Sequence, residues 1–181
     1  MREANKQKER EQIAAAFIEM VENSSLEKIS TQELCRKAGV SKSTFYRLFP
    51  DKYEVAIWLY HSWMDPIVSG SPDLRRSKEW CVCDLEELRK HRKFYRSVAA
   101  YRGQNSMLDY LAAYFYQNIV KYRNPSAPEP TEDQLYAIRM YASICAQATI
   151  DWILNDYEPS IEEVNRRVKL CRPECIRMYF E

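Results

Sequence analysis

Among side chains that could do chemistry, the thiols stand out: Cys35, Cys81, Cys83, Cys145, Cys171 and Cys175 in a chain of 181 residues. A structural metal site usually joins two cysteines spaced about two to four residues apart to a second such pair, or to histidines. Cys81 and Cys83 are separated by one residue, Cys171 and Cys175 by three including Pro173, and neither pair has a histidine pair nearby. The two histidines, His61 and His91, lie far apart. No metal ligand set and no cofactor follow. No nucleophile, base and orienting group can be assembled either, so no catalytic residue is expected and the chain reads as a non-enzyme. What the thiols alone offer is a redox switch between Cys171 and Cys175. A different chemistry sits in residues 41–47, where Lys42, Ser43, Thr44, Tyr46 and Arg47 crowd hydroxyls and cations into two turns of chain. Such groups donate to base edges and phosphates.

For those donors to act together, a rigid element has to carry them. Ser41 is a helix cap, and Phe45 and Leu48 mark the buried side of a short helix that stops before Pro50, leaving Lys42, Ser43, Thr44, Tyr46 and Arg47 largely outward. The helix before it opens at the Ser30 to Glu33 capping box, turns Leu34 inward and closes at Gly39, whose missing Cβ tolerates a left-handed backbone. Upstream, Ile13, Phe17, Met20 and Val21 recur at helical spacing and predict a first helix from about Lys8 to Asn23. Two short helices around a glycine turn, braced by a third, make a helix-turn-helix.

These residues resemble the TetR family of transcriptional regulators, whose N-terminal pattern stands here as Thr31, Leu34, Cys35, Ala38, Gly39, Val40, Ser41, Thr44, Phe45, Tyr46, Phe49 and Lys52. Cys35 replaces the family's usual alanine and Ser43 a frequent glycine or proline. The run RKFYRSVAAYRGQNSMLDYLAAYF is similar to the C-terminal domain of regulators of the dihydroxyacetone-kinase-regulator type. The resemblance implies a homodimer reading a palindromic operator in double-stranded DNA. Lys42, Ser43, Thr44 and Arg47 would stand at base edges or nearby phosphates, with Arg47 suited to a bidentate guanine contact. Tyr46 would donate to a phosphate, and Thr31, Gln32 and Lys52 would hold phosphates beside helix N-termini. Arg2, Lys6 and Lys8, interleaved with Glu3 and Glu9, would brush the backbone or minor groove. An effector, small molecule or protein, would modulate binding.

Composition agrees with a helical reading. Only three glycines occur, 46% of residues are hydrophobic and 29% charged, and no alternating pattern predicts a strand. The expected fold is all-α with about nine helices: an N-terminal three-helix DNA-binding domain over 1–52 and a helical dimerisation and effector-sensing domain over 53–181, joined by a helix over about 51–64. Later helices are expected from about Ser77 to Tyr101, Ser106 to Tyr122, Thr131 to Asp156 and from Ser160 onward. The net charge of +1 conceals a local +4 between Lys28 and Lys52, where six basic residues face two acidic ones. With no long apolar stretch and a charged start, no membrane partner is expected and the location is cytoplasmic.

Two further expectations concern the second half. The Thr131 to Asp156 helix carries one stripe of Leu135, Ile138, Ala142, Cys145, Thr149 and Trp152 and another of Tyr136, Met140, Ser143, Ile150 and Leu154. A dimer contact would use Leu135, Ile138, Ala142, Cys145, Ala146 and Thr149 with Ile161, Val164 and Val168 of the last helix, against the competing reading of a single large core. An effector pocket would draw on Tyr95, Tyr101, Tyr116 and Trp152, which combine apolar bodies with polar tips. The alternative function is an all-helical protein-interaction or ligand-binding module that no longer binds DNA.

Overall fold

The computed structural model describes the backbone of residues 2–70 and 80–181 and the side chains of 3–67 and 81–181. Among these residues all regular structure is helical: α1 (Arg2–Asn23), α2 (Thr31–Ala38), α3 (Lys42–Leu48), α4 (Lys52–Gly70), α5 (Trp80–Lys90), α6 (Arg92–Ala100), α7 (Met107–Tyr122), α8 (Glu132–Leu154) and α9 (Ile161–Leu170). Short 3-10 turns span Leu26–Lys28 and Glu174–Tyr179. The chain is all-α as expected, and nine α-helices lie among the described residues, where about nine were expected.

Start signals in the sequence act as written. Ser30 and Glu33 form the reciprocal capping box, Ser41 accepts from the Thr44 amide at 3.0 Å, and Thr131 pairs reciprocally with Gln134. Asp51 Oδ1 accepts from the amides of Tyr53 and Glu54 at 2.8 and 2.9 Å, and Ser160 caps α9.

Three boundaries differ from expectation. α1 begins six residues before Lys8, because Glu3–Lys6, Asn5–Glu9 and Gln7–Glu11 pairs tie its polar first turns where apolar periodicity gives no sign. α4 continues past Trp63 to Gly70 with Pro66 inside it. Proline cannot supply the amide for that turn's hydrogen bond, but the helix absorbs the loss. The single helix expected from Ser77 to Tyr101 is two, divided at His91 with no glycine or proline there to announce it. Its expected start at Ser77 lies outside the described residues, as does the Trp80 side chain.

The chain folds into two compact units, residues 1–63 with 93–107 and residues 64–92 with 108–181. In the first, Ile13, Phe17 and Val21 of α1, Leu34 of α2, Phe45 of α3 and Val55 of α4 are fully buried. α6 joins them: Phe94 meets Phe17 edge-on at 6.1 Å and Trp63 at 5.3 Å. In the second, Ile138 and Tyr141 of α8 pack with Ile176 and Tyr179 of the C-terminal turn, and Gln134 is tied to that turn through Cys175 O and the Tyr179 hydroxyl.

Candidate nucleic-acid interface

Gly39 ends α2 at φ +70°, a left-handed conformation in which its amide reaches Arg36 O, and the Val40 amide reaches Cys35 O at 3.0 Å. That turn throws α3 across α2. Phe45 and Leu48 then anchor α3 on the core, leaving Lys42, Ser43, Tyr46 and Arg47 exposed and Thr44 half-buried. Phe45 also meets the Tyr46 ring edge-on at 5.4 Å, so Tyr46 stands outward from a fixed base with 56% of its surface exposed.

The donors of this face are partly committed. The Ser41 hydroxyl lies 2.8 Å from that of Ser43 and donates to Thr44 Oγ1 at 3.0 Å, a hydroxyl chain along the first turn of α3. Lys42 Nζ reaches Gln32 Oε1 at 3.4 Å, which joins the start of α2 to the start of α3. Gln32 is exposed and Thr31 half-buried at the α2 N-terminus. Arg47 donates through Nη2 to Glu9 Oε2 of α1 at 2.6 Å, with the arginine side chain 53% exposed and the glutamate 19%. Sequence reading missed that pairing. Its signal was present, since the α1 stripe of Ile13 and Phe17 continued back one turn lands on Glu9.

Lys52, expected at a phosphate, holds backbone carbonyls in the unbound protein. Its ammonium donates to the carbonyls of Leu26 and Ile29 at 2.8 and 2.7 Å and to that of Glu27 at 3.3 Å, engaging all three protons. Burial draws it below its ordinary value, against the opposing charges of Glu27 and Asp51. The residue fastens the turn before α2. Lys37 pairs with Glu19 at 2.6 Å and Lys6 with Glu3 at 3.1 Å. Lys8 is exposed, and the Arg2 side chain lies outside the described residues.

Two family models match this geometry: "Bacterial regulatory proteins, tetR family" over residues 13–57 and "Transcriptional regulator C-terminal region" over residues 78–170, the latter just over half of the chain. The chain belongs to the TetR family of transcriptional regulators. Two solved structures share the TetR fold. "Dihydroxyacetone kinase operon activator DhaS" is 15% identical with a TM-score of 0.60, covering 94% of this chain and 97% of that one. A TetR transcriptional regulator from Rhodococcus sp. RHA1 is 17% identical with a TM-score of 0.63, covering 98% and 100%. At those identities the likeness is one of fold. No match was found among curated proteins.

In the second unit of this TetR-family chain, most of the residues expected at a dimer contact are buried within the single protomer. Ile138, Ala142, Ala146, Thr149, Ile161 and Val164 are buried within the protomer, while Leu135, Cys145 and Val168 are half-buried, the last two packed on the Ile138 and Tyr141 cluster. A helix shows one face to its own core, and here that face is the stripe assigned to the partner. Of the second stripe, Ile150 is buried and Leu154 half-buried, whereas Tyr136, Met140 and Ser143 are exposed together with Ile144, Gln147 and Asp151. Leu170 at the end of α9 is 73% exposed.

The residues expected at an effector pocket pack as follows in the unbound protein. Tyr95 is buried against Trp63 and Phe94, Tyr101 stacks on Tyr53 at 4.4 Å, Tyr116 lies under Arg139, and Trp152 packs on Tyr157 and donates to Pro159 O. None of the four lines the cavity of about 450 Å³ that opens in the second unit among α5, α7, α8, α9 and the C-terminal residues. Burial pushes the Cys145 thiol on that wall up to about 12 and raises Tyr141 as well. Among the described residues no group of three His, Cys, Asp or Glu is placed to hold a metal. Cys171 and Cys175 are free and exposed, His61 meets the Tyr60 ring edge-on, and His91 Nε2 lies 3.3 Å from Glu87. No helix is long and apolar enough to cross a membrane among the described residues.

Proposed function

We propose that this TetR-family chain is a homodimer that binds a palindromic operator through α2 and α3, with affinity set by a small-molecule or protein effector. The observation that carries the reading is the two-sidedness of α3. Phe45 and Leu48 fix it to the core, and its other side offers Lys42, Ser43, Thr44, Tyr46 and Arg47 to a groove about 12 Å wide, which admits one helix. Lys42 and Arg47 meet bases or phosphates, Tyr46 donates to a phosphate, and Thr31 and Gln32 hold the neighbouring strand. The domain division proposed is a reading module over 1–52 and a dimerising, sensing module over 53–181.

Dimerisation follows from need and from surface. One helix in one groove distinguishes too few bases for useful specificity, and two spaced about 34–36 Å apart read a palindrome. The exposed apolar ridge of Tyr136, Met140 and Ile144, spaced four residues apart on α8, is the face we assign to the partner protomer. Selection of bound DNA from a random pool, followed by fluorescence anisotropy over a salt series, tests the function. A palindromic consensus with affinity falling steeply with salt supports it, and weak binding indifferent to sequence defeats it in favour of a module without DNA.

A further inference from the structure

The cavity of the second unit has a composition that selects its ligand. Its volume of about 450 Å³ falls within the range of small-molecule sites, about 300–1000 Å³. Phe115 and Ile119 of α7, Val164 and Val168 of α9 and Phe180 give it mostly apolar walls. Set among them is Arg172, whose guanidinium carbon lies 3.9 Å from the Phe180 ring centre and 5.5 Å from that of Tyr141. Its Nε is shut off from solvent and donates to nothing, and among the described residues no carboxylate stands within ion-pair distance of it. A guanidinium beside two aromatic rings that meet edge-on, hydrogen-bonded to the Tyr141 hydroxyl but with its Nε unpartnered, is an incomplete arrangement, because a partly buried charge is costly until an acceptor of opposite sign meets it.

The other ionisable groups at the wall decide the sign and number of charges. Asp84 is buried and already engaged with its own surroundings, and Arg123 is paired with Glu129 and donates to Val120 O at 2.7 Å. Lys169 is an exposed cation at the wall and Glu181 an exposed anion. Cys81, Cys145 and Tyr141 stay protonated, as their raised values require, so they offer neutral hydrogen bonds and no negative charge for a cationic guest. The Arg172 guanidinium, which has no carboxylate partner, balances one negative charge, and the buried Asp84 disfavours a second.

We propose that this cavity binds a small aromatic monocarboxylate, its ring against the apolar wall and its carboxylate on Arg172. The proposal deepens the effector reading above, and binding is measured on the full chain with no DNA present, so the two can fail separately. Benzoate, phenylacetate and 1-naphthoate, each beside its primary amide, are titrated by calorimetry into the wild type, Arg172→Gln and Arg172→Lys, with circular dichroism confirming the fold of each variant. The expected result is binding of at least one acid, its amide weaker by about tenfold or more, loss of that difference in Arg172→Gln and partial retention in Arg172→Lys. Should Arg172→Gln unfold, the acid-to-amide ratio in the wild type and in Arg172→Lys decides. Amides that bind as tightly as acids, undiminished acid binding in Arg172→Gln, or no binding by any of the acids would overturn the proposal. Operator affinity measured with and without the bound acid then reports whether the site is coupled to DNA.

Discussion

Replacing Glu9 with glutamine tests how the reading face works. In the unbound protein Arg47 is held by Glu9 at 2.6 Å, so the guanidinium has to loosen that contact before it can present two donors to a guanine. The arginine is half exposed, which screens the pair and limits its worth to about 0.2–1 kcal/mol. Removing the competing charge should therefore tighten operator binding by about fivefold at most and steepen the salt dependence by about one ion, since a cation formerly neutralised within the protein becomes available to DNA. Arg47→Ala should act oppositely, costing about 1–3 kcal/mol and relaxing preference at one base pair of each half-site. Anisotropy with the selected operator and its single-base variants, at four or more salt concentrations, measures all of this. The competition argument is refuted if Glu9→Gln weakens operator binding, which would mean that Glu9 aims Arg47 instead of holding it back.

Four other outcomes follow from the same coordinates. Gly39→Ala meets no atom within 4 Å of the added Cβ, so its cost is conformational, about 1–2 kcal/mol for an L-residue held at φ +70°, read as a lowered denaturant midpoint. Lys52→Met should remove three carbonyl contacts and destabilise the first unit by about 1–3 kcal/mol, while the salt slope of DNA binding stays unchanged. Met140→Glu with Ile144→Glu alters exposed positions, leaving the protomer's helicity intact but converting dimer to monomer in sedimentation and weakening operator binding. Hydrogen bonds from Ser30 hold the Glu33 carboxyl below its ordinary value; a depressed carboxyl contributes stability above its unfolded value and loses it as pH falls through the folded one, so Glu33→Gln should flatten the decline of stability below about pH 4.5.

Local chemistry was legible in the sequence and tertiary partnership was not. Ser30, Ser41, Thr131 and Gly39 act through groups a few residues away, so their roles could be read from spacing. The inward turn of Phe45 and Leu48 followed from period alone. Which face of α8 meets its own core is different: two apolar stripes look alike until α9 and the C-terminal turn are packed, and these cover the stripe with Ile138 and Cys145. Likewise Tyr95, Tyr101 and Trp152 combine ring and polar tip as a pocket residue would, yet each finds its partner inside the fold. The break at His91 has no local signal, and Lys52 meets carbonyls more than twenty residues away. Arg172 drew no notice because a lone arginine after a helix becomes informative only once a cavity is seen beside it.

The most direct measurement is a hydroxyl-radical footprint on DNA recovered from a random pool, taken together with the stoichiometry of the complex. Two protomers on one duplex should protect two symmetric half-sites centred about 10 base pairs or a multiple of that apart, with contrast lost in Arg47→Ala. Protection of a single half-site by one protomer, or uniform protection that Arg47→Ala leaves untouched, would contradict the claim that paired α3 helices read the operator.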